Sequence, residues 1–517
     1  MNMKIDPKTP VIIGVGQSLD RIDAKTYKVW SASDLAAEAA RQAALDTQAH
    51  GDVWSAVEVI ATTRTFEDSR PQPALFGKSS NFPRSITKRL GINPAYAVWG
   101  KAGGNSPQDL VNEFCERIAK GEFKAALITG AEAISTVRHA YRQGLKLDFS
   151  EDPGGQVEDR GSGLQELRDP VMAKYGLTDP PFVYAVAENA RRARLGKTRE
   201  TYAREMGDLF APFAAIASEN PRSAWEVPAY TPDELITVGT HNRWIADPYP
   251  LRLVARDQVN LGAAVLLASY ETARKLGVPE QQLVYLHGYA QAAEKPFTQR
   301  PDLGASPASR AVARRAMTLA GVTPDDVCAF DFYSCFPIAV SNTAIDEFGL
   351  SAHDLRGLSV TGGLPFFGGP GNNYSMHAIA EIVAHVRKAA GRPGFVGANG
   401  GYLSKYSAGV YSTKPKLWQI CDSAPLQADL DAVPGVSILQ EYEGQGKIES
   451  YTVIHNKGEP VKAIIMGRTA AHERFIACSV QEDRQTPGEA HAEDSLHKIV
   501  TVRHEEGFNL FRFQEFA

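Results

Sequence analysis

Residues 358–413 constrain the fold more than any other part of the chain. A β-leaning segment, LSVTGG, leads into a glycine-dense turn, GGLPFFGGPGNN, and then into residues with helical apolar spacing over 375–390. Arg392-Pro393-Gly394 ends the predicted helix, and a buried strand over 394–398 leads into a second glycine turn. This order is typical of an α/β active site, because glycine lets backbone N–H groups approach a ligand and helix N-termini stabilise a developing oxyanion. The alternative is that the glycines only permit tight turns.

Composition is that of a globular protein and argues against several classes of function. The 517 residues, 43% of them apolar, predict about two or three domains. A net charge of −5 argues against nucleic acid or an anionic membrane surface as the main partner, and no apolar run approaches the ~20 residues of a membrane-spanning helix. The five cysteines are odd in number and none has CxxC spacing, which indicates neither a disulfide framework nor a zinc site. With an N-terminus that lacks a signal-like apolar segment, this predicts a cytoplasmic protein without membrane insertion.

Strands and helices alternate in the first part of the chain. The predicted strands are 11–17, 57–62, 96–99 and 125–130, and the predicted helices are 31–47, 85–90 and 107–120. Ser106 is expected to cap the last of these helices, with Pro107 at its first position. Such alternation predicts a largely parallel sheet.

The pattern loosens over residues 138–256, where tryptophan, proline and charged residues become common. Helical periodicity over 181–194 and 199–218, with few strands, predicts an inserted and mainly helical loop domain. A strand signal returns at 257–269.

The chain then repeats its first part in outline. Strands are predicted at 283–289 and 328–333, with an alanine-rich helix at 309–320 between them. Each half also has a glycine turn before a helix, 103–106 in the first and 368–373 in the second. We therefore expect a duplicated α/β fold.

The last segment has short strands separated by polar turns. They are predicted at 446–454, 461–467, 473–478, 498–502 and 509–513, with a polar loop at 482–494. This is typical of a small β-barrel of the OB type. The predicted organisation is a first half (1–137 and 257–280), a loop domain (138–256), a second half (281–427) and an additional barrel (435–517).

At this point the order of the segments resembles the thiolase superfamily across residues 11–417. The segments that carry the resemblance are VIIGVGQ, AGGNSPQDLVNE, AALITGAEA, PFAAIASENPRSAW, FYSCFP, GGLPFFGGPG and GANGG. The β-rich tail beginning GKIESYTVI is similar to that of thiolase-like proteins with an additional C-terminal domain. The resemblance implies an αβαβα body and an acyltransferase-type protein that handles coenzyme A thioesters in lipid or side-chain degradation.

The chain departs from the family at every reactive position. Gly104 stands where the resemblance places the nucleophilic cysteine, and Gly369 stands where it places the histidine. Ala398 replaces the second cysteine, and the fourth motif becomes Tyr333-Ser334-Cys335-Phe336. A covalent acyl-cysteine mechanism therefore lacks its nucleophile.

Three interpretations follow. In the first, the protein makes or breaks a carbon–carbon bond next to a thioester, as thiolase-like aldolases with active-site tyrosines do, with Tyr333 as acid or base and Tyr374 and His377 in support. In the second, it binds coenzyme A or acyl-CoA without turnover. In the third, Cys335 is the nucleophile. For Tyr333 and His377 a packing role is the alternative, and Cys335 is expected to be a small structural residue.

The resemblance also implies a ligand site. The candidate substrate-binding residues are Gly104, Ser106, Cys335, Phe336, Gly369, Asn373, Gly400 and Gly401. The basic residues Arg191, Arg194 and Lys197 lie where the family contacts coenzyme A, although they could equally form a solvated helix end. Beyond a coenzyme A thioester, no cofactor or metal is implied.

For partners, the resemblance implies a homodimer, although the extra domain could block the dimer surface and leave a monomer. The C-terminal barrel is expected either to help admit acyl-CoA or to act as a structural cap. Its acidic stretch over 482–506 disfavours a polyanion such as an oligonucleotide.

Overall fold

The computed structural model describes residues 4–166, 169–389 and 391–513. The first half and the end of the insertion contribute these elements: β1 (Pro10–Leu19), α1 (Ala32–Asp46), β2 (Val59–Thr62), α2 (Phe66–Ser69), α3 (Phe82–Leu90), β3 (Tyr96–Trp99), α4 (Ser106–Lys120), β4 (Ala125–Ala133), α5 (Ile134–Gln143), β5 (Glu158–Asp159), α6 (Pro170–Lys174), α7 (Pro180–Arg194), α8 (Arg199–Glu219), α9 (Pro232–Ile236), β6 (Trp244–Ala246), β7 (Tyr249–Pro250) and β8 (Asn260–Ser269).

The remainder of the chain contributes a second set of elements. They are α10 (Tyr270–Lys275), β9 (Val284–Ala293), α11 (Pro307–Ala320), β10 (Ala329–Phe332), α12 (Pro337–Val340), α13 (Tyr374–Lys388), β11 (Gly394–Gly400), β12 (Lys405–Ser412), α14 (Ala424–Ala432), β13 (Ile438–Leu439), β14 (Gly444–Asn456), β15 (Glu459–Arg468), β16 (Arg474–Cys478), α15 (Gln485–Ala492), β17 (Ile499–Glu505) and β18 (Phe508–Arg512).

One sheet runs through both halves in the order β10-β11-β12-β9-β1-β8-β4-β2-β3-β5. The halves meet where Val11 of β1 pairs with Tyr285 of β9. Outward from this junction the strand directions repeat, since β8 and β12 are antiparallel to β1 and β9, β4 and β11 are antiparallel to these, and β2 and β10 are parallel to the last pair. The repeat confirms the duplicated α/β fold, and α4 packs against α13 between the halves.

The prediction of a largely parallel sheet is wrong, because the inner strand pairs are antiparallel. Strand β12 follows β11 through a short turn, and strands joined in that way must run antiparallel. The LSVTGG segment also forms no strand. Phe332 N donates to Leu358 O at 3.1 Å, so the segment lies beside β10, but the Asp331 carboxylate then takes the N–H groups of Val360 and Thr361 and ends the ladder.

Local signals explain where two of the helices begin. Ser31 and Asp34 form a reciprocal capping box at the start of α1. At α4 the prediction of Ser106 as the cap is wrong, since Asn105 occupies the cap position without capping the helix through its side chain. The Asn105 amide is bonded instead to Asp109, one turn further along the helix.

The C-terminal segment closes into a five-stranded β-barrel, because β14 pairs with β15 and β17, β16 pairs with β15 and β18, and β17 pairs with β18. Its interior contains Ile448, Tyr451, Phe475 and Phe511. The polar loop predicted over 482–494 is wrong. It contains α15, whose first turn is fixed by hydrogen bonds to the Asp483 carboxylate. The OB type of the barrel stays a prediction.

Helix α7 lies between the barrel and the second half. On the barrel side, Ser450 Oγ donates to Val186 O at 2.6 Å and Asn189 Nδ2 donates to Tyr451 O at 3.1 Å. On the other side, Glu188 Oε2 accepts from Ile338 N at 2.9 Å. The barrel is therefore joined to the body through a nearly fully buried helix.

The outer edge of the first half is covered by the chain itself. Strand β5 pairs with β3 through Val98 with Glu158 and Trp99 with Asp159. An uncovered edge strand would be a template for pairing with another chain. Among the described residues, no helix is both long enough and apolar enough to cross a membrane.

Candidate active site

The glycine turns of the two halves meet around the side chain of Asn105. A Cβ built on Gly400 would lie 1.9 Å from Asn105 Oδ1, and one built on Gly103 would lie 2.4 Å from the same atom. Real contacts of a Cβ atom are not this short, so the Asn105 side chain could not keep this position if either glycine were replaced. The neighbouring Gly104 is held by Ser375, whose Oγ donates to the Gly104 carbonyl at 2.6 Å.

Tyr333 places its phenol against Gly104. A Cβ built on Gly104 would lie 2.2 Å from Tyr333 Oη and 2.4 Å from Cζ, so the ring fills the space of any side chain at 104. Tyr333 is 8% exposed, and its hydroxyl forms no hydrogen bond within the described parts of the chain. Burial raises the pKa of Tyr333 above its usual range. The phenol therefore stays protonated at neutral pH and can donate a hydrogen bond.

The hydroxyl of Tyr374, which neighbours Tyr333, forms hydrogen bonds within the protein. The two rings meet edge to face at 5.4 Å. Tyr374 Oη lies 2.6 Å from Thr361 Oγ1 and donates to Asp331 Oδ1 at 3.0 Å. Asp331 also accepts from the hydroxyls of Ser359 and Thr361. Burial raises the pKa of Asp331 to about 6, although these hydrogen bonds act in the opposite direction. The Tyr374 hydroxyl is thus part of a buried hydrogen-bond network and does not face an open space.

Cys335 lies in a separate network built around Asn399. Asn399 Nδ2 donates to Tyr184 Oη at 2.7 Å and lies 3.9 Å from Cys335 Sγ. Tyr184 Oη in turn donates to the Gly401 carbonyl at 3.0 Å. Burial raises the pKa of Cys335 to about 12. Since the thiolate is the nucleophile, this environment disfavours Cys335 as an attacking group.

His377 faces the first half and not Tyr333. Its Nδ1 lies 2.7 Å from Gln17 Oε1, and Gln17 Nε2 donates to Glu381 Oε1 at 2.7 Å. Burial, together with the charge of Arg222, lowers the pKa of His377 to about 3. The imidazole is therefore neutral, and Nδ1 must donate to Gln17 because the amide oxygen can only accept. Its Nε2 is buried and has no hydrogen-bond partner within the described residues.

The asparagines of the second turn bind the first half. Asn372 Nδ2 donates to the Arg64 carbonyl at 2.6 Å, and Asn372 Oδ1 accepts from Gly103 N at 2.8 Å. Asn373 Nδ2 donates to the Gly130 carbonyl at 2.7 Å. Both amides therefore hold the two halves together and do not point towards a ligand.

Two other predicted binding residues have structural contacts. The ring of Phe336 packs between Tyr184, 4.4 Å away, and Tyr249, 5.1 Å away. The N–H group of Gly369 donates to the Arg256 carbonyl at 2.8 Å. Neither residue has a free polar group directed at Tyr333.

Helix α4 contains a polar pair that the sequence reasoning missed. The Asn105 amide donates to the Asp109 carboxylate. Asn105 Oδ1 and Asp109 Oδ1 are both buried and have no hydrogen-bond partner within the described residues. Burial raises the pKa of Asp109 to about 7, and the side chains of Ser407 and Asn105, followed by the charge of Lys405, act in the opposite direction. Ser106, between them in sequence, is buried and donates its N–H to Gly103 O at 2.9 Å. The spacing of four residues, which puts Asn105 and Asp109 on one helix face, was the available signal.

The predicted coenzyme A contacts are paired with carboxylates. Arg191 Nη2 lies 2.6 Å from Asp346 Oδ1, and Arg194 Nη2 lies 3.0 Å from Asp346 Oδ2. Lys197 Nζ lies 2.5 Å from Glu205 Oε1. A phosphate would have to compete with these carboxylates, and phosphate binding by the three cations stays a prediction.

The structure brings Gly104, Tyr333 and Gly400 together and leaves His377 and the three cations outside this cluster. Residues that reasoning from sequence missed are Asn399, Tyr184, Asp331, Asn105 and Asp109. Among the residues that the structure describes, no three metal-ligating side chains are arranged to hold an ion.

Comparison with known proteins agrees with this architecture. Residues 425–507 match the family model for the thiolase-like protein type 1 additional C-terminal domain. The crystal structure of a monomeric SCP2-thiolase-like protein type 1 from Mycobacterium smegmatis is 41% identical, with a TM-score of 0.85 over 98% of this chain and 100% of that chain. Among curated proteins, none matches.

More distant solved structures share the fold alone. The Ltp2–ChsH2(DUF35) aldolase is 20% identical, with a TM-score of 0.56 over 80% of this chain and 100% of that chain. The dimeric peroxisomal thiolase of Saccharomyces cerevisiae is 14% identical, with a TM-score of 0.56 over 80% of this chain and 99% of that chain.

Proposed function

This chain belongs to the SCP2-thiolase-like proteins of type 1, and on that premise we propose that it acts on coenzyme A thioesters by carbon–carbon bond chemistry without a cysteine nucleophile. One observation carries the proposal. The phenol of Tyr333 occupies the space beside Gly104 where the resemblance places the nucleophilic thiol. A proton donor thus stands where thiolases are expected to have an attacking group.

The chemistry follows from the state of that phenol. Cleavage of the bond between C2 and C3 of a 3-hydroxyacyl thioester moves an electron pair onto the thioester as an enolate. The 3-hydroxyl gives its proton to a base and becomes a carbonyl, and the enolate takes up a proton at C2, so the products are an aldehyde or ketone and the shortened acyl thioester. A protonated phenol stabilises the developing oxyanion by a hydrogen bond. The raised pKa of Tyr333 keeps that proton in place. The reverse reaction would use the same contact.

A second candidate is binding of acyl-CoA without turnover. It is favoured by the full burial of the predicted residues around Tyr333, whose polar groups are largely bonded within the protein. In this case the phenol would fill a disused site and Tyr333 would matter for packing alone.

We also propose that the chain acts as a monomer, with the barrel supporting the ligand site through α7. Strand β5 covers the edge of the first half, and the relative from Mycobacterium smegmatis is described as monomeric. One face of α7 meets the barrel, while Tyr184 on the other contacts Asn399. Removal of the residues after Gly435 should therefore weaken acyl-CoA binding. A cytoplasmic location and a role in lipid breakdown stay predictions.

Calorimetric titration of the full chain with coenzyme A, acetyl-CoA and a set of 3-hydroxyacyl-CoA thioesters tests the proposal. Each mixture is then searched for cleavage products by mass spectrometry. Binding with cleavage supports carbon–carbon chemistry, and binding without cleavage of any thioester supports the second candidate. The absence of heat with all ligands contradicts both. Tyr333→Phe is the matched control, since it should bind as the wild type does and fail to cleave.

A further inference from the structure

A cavity of about 190 Å³ lies in the first half, and no residue of the Tyr333 cluster lines it. Its walls come from the start of α1, from α2 and the loop that follows, from the end of β4 and from the start of α5. An apolar cavity of about 150 Å³ holds benzene. The space is therefore sufficient for one ring with a short substituent.

Glu132 supplies an unusual wall of this cavity. It is 3% exposed, and its Oε1 accepts one hydrogen bond, from Phe66 N at 2.7 Å. Its Oε2 forms no hydrogen bond with any residue that the structure describes. Burial raises the pKa of Glu132 well above its ordinary value, and neighbouring carboxylates add to this effect. Glu132 lines the cavity, so a ligand there could supply the hydrogen-bond donor that Oε2 lacks among the described residues.

Some of the other charged residues around the cavity form ion pairs and some do not. Asp68 pairs with Lys78 at 3.2 Å, and Asp257 pairs with Arg138 at 3.1 Å. Glu67 lines the cavity beside Asp68 but has no ion pair within the described chain, and burial and the charge of Asp68 raise its pKa. Arg70, the third cation of the lining, is exposed and lies 5.9 Å from the centre of the Phe66 ring. Two of the three lining cations thus already have carboxylate partners, whereas Glu132 and Glu67 have no ion pair among the described residues.

Part of the cavity wall is aromatic. Phe66, Phe82 and Phe149 line the cavity, and the face of an aromatic ring attracts both apolar groups and cations. A cation with an apolar body would satisfy both walls. A metal ion would not use the aromatic wall, and the described carboxylates are not grouped as metal ligands.

We propose that this cavity binds a small organic ammonium ion, whose charge meets Glu132 and Glu67 and whose apolar part packs against the three phenylalanines. The ammonium group would donate to Glu132 Oε2, and its charge would favour loss of the proton that burial otherwise holds on this carboxyl. An anion would face those carboxyls and would have Arg70 at the exposed rim as its main counter-charge, because Lys78 and Arg138 already have partners. The inference does not depend on the chemistry at Tyr333.

The test uses three probes of equal shape and different charge: benzylammonium, benzyl alcohol and benzoate. Each is titrated calorimetrically into the full chain. Benzylammonium should bind at least about tenfold more tightly than either of the others, which corresponds to about 1.4 kcal/mol. Equal or tighter binding of the alcohol or of benzoate overturns the proposal, and so does the absence of binding by all three.

Variants then locate the site. Glu132→Gln keeps the acceptor for Phe66 N and removes the charge, so benzylammonium binding should weaken at least about tenfold. Glu67→Gln should weaken it in the same direction. Glu219→Gln, an exposed residue at the end of α8, is the matched loss of charge and should leave binding unchanged. Equal binding by Glu132→Gln and the wild type contradicts the site. If Glu132→Gln does not fold, the comparison of the three probes on the wild type still tests whether the cavity prefers an ammonium ion.

Discussion

The glycine turn before α4 and the glycine turn before α13 use their asparagines in opposite ways. In the second turn, Asn372 forms hydrogen bonds to the first half through both ends of its amide, and Asn373 does so through its amide nitrogen. In the first turn, Asn105 is held between two glycines and its Oδ1 has no partner within the described residues. The two turns look alike in sequence, but among the described residues an asparagine amide oxygen lacks a partner only in the first.

The carboxylates and phenols near the two turns show the same difference. Asp331, beside the second turn, accepts hydrogen bonds from Ser359, Thr361 and Tyr374. Asp109, beside the first turn, has an Oδ1 without a partner in the described chain. The Tyr333 hydroxyl lies beside Gly104, and no residue of the described chain forms a hydrogen bond with it. The difference indicates that the second turn stabilises the fold and that the first turn is where a ligand would react.

The largest expected effect is on the rate in Tyr333→Phe. This variant keeps the ring and removes the hydroxyl, so once a substrate is found the rate should fall by ~10²–10⁴ while the melting temperature changes little. Steady-state kinetics and thermal unfolding measure the two quantities. The control is Cys335→Ala, which should lose some stability and little rate. Full activity in Tyr333→Phe, or a folded but inactive Cys335→Ala, would assign the chemistry to the thiol.

The next effect is on stability, in Asp331→Asn. An amide cannot accept from all the donors that surround Asp331, and each buried donor left unpaired costs about 1–3 kcal/mol. We expect the free energy of unfolding to fall by about 3 kcal/mol, measured by urea denaturation. A loss of this size would show that Asp331 stabilises the fold. A loss below about 1 kcal/mol would show that the second-turn network contributes less than its hydrogen bonds indicate.

The smallest effect is a pH dependence from Asp109. The pKa of Asp109 is raised from 3.8 to about 7 in the folded protein, so the folded state binds this proton more tightly than the unfolded state. Its contribution is fully present below about pH 4 and is lost as pH rises through about 7. Since the side chain is only half-buried, solvent should limit the change to about 1–2 kcal/mol.

Urea unfolding of the wild type and of Asp109→Asn at both ends of this pH window isolates the effect. The stability of the wild type relative to the variant should decrease as pH rises. A relative increase would mean that the ionised carboxylate is stabilised by Lys405 and that the first turn is not short of partners.

Much of the fold could be predicted because its signals are local. The capping box of Ser31 and Asp34 marks the start of α1, and helical spacing marks α7 and α13. Strand direction could not be predicted, because the pairing of Val11 with Tyr285 depends on contacts between residues far apart in the chain. The LSVTGG segment has strand propensity, but the Asp331 carboxylate captures its N–H groups.

The site was predictable only in part. The two glycine turns indicate where the site lies, and the motif Tyr333-Ser334-Cys335-Phe336 places Tyr333 in it. The pairing of Asn399 with Tyr184 joins residues 215 positions apart, and no sequence pattern indicates it. His377 follows the second turn closely, yet the fold places Gln17 of β1 opposite its ring. Tertiary packing, which periodicity does not encode, decides both.

The central claim is that a phenol has taken the place of the nucleophilic thiol, and thiolysis of acetoacetyl-CoA tests it most directly. The purified wild type is mixed with acetoacetyl-CoA and free coenzyme A, and formation of acetyl-CoA is followed beside a reaction without protein. The structure predicts no turnover above that background, because Gly104 offers no side chain and Tyr333 fills the space beside it. Turnover at ~1–10³ per second, which is typical of enzymes, would contradict the account.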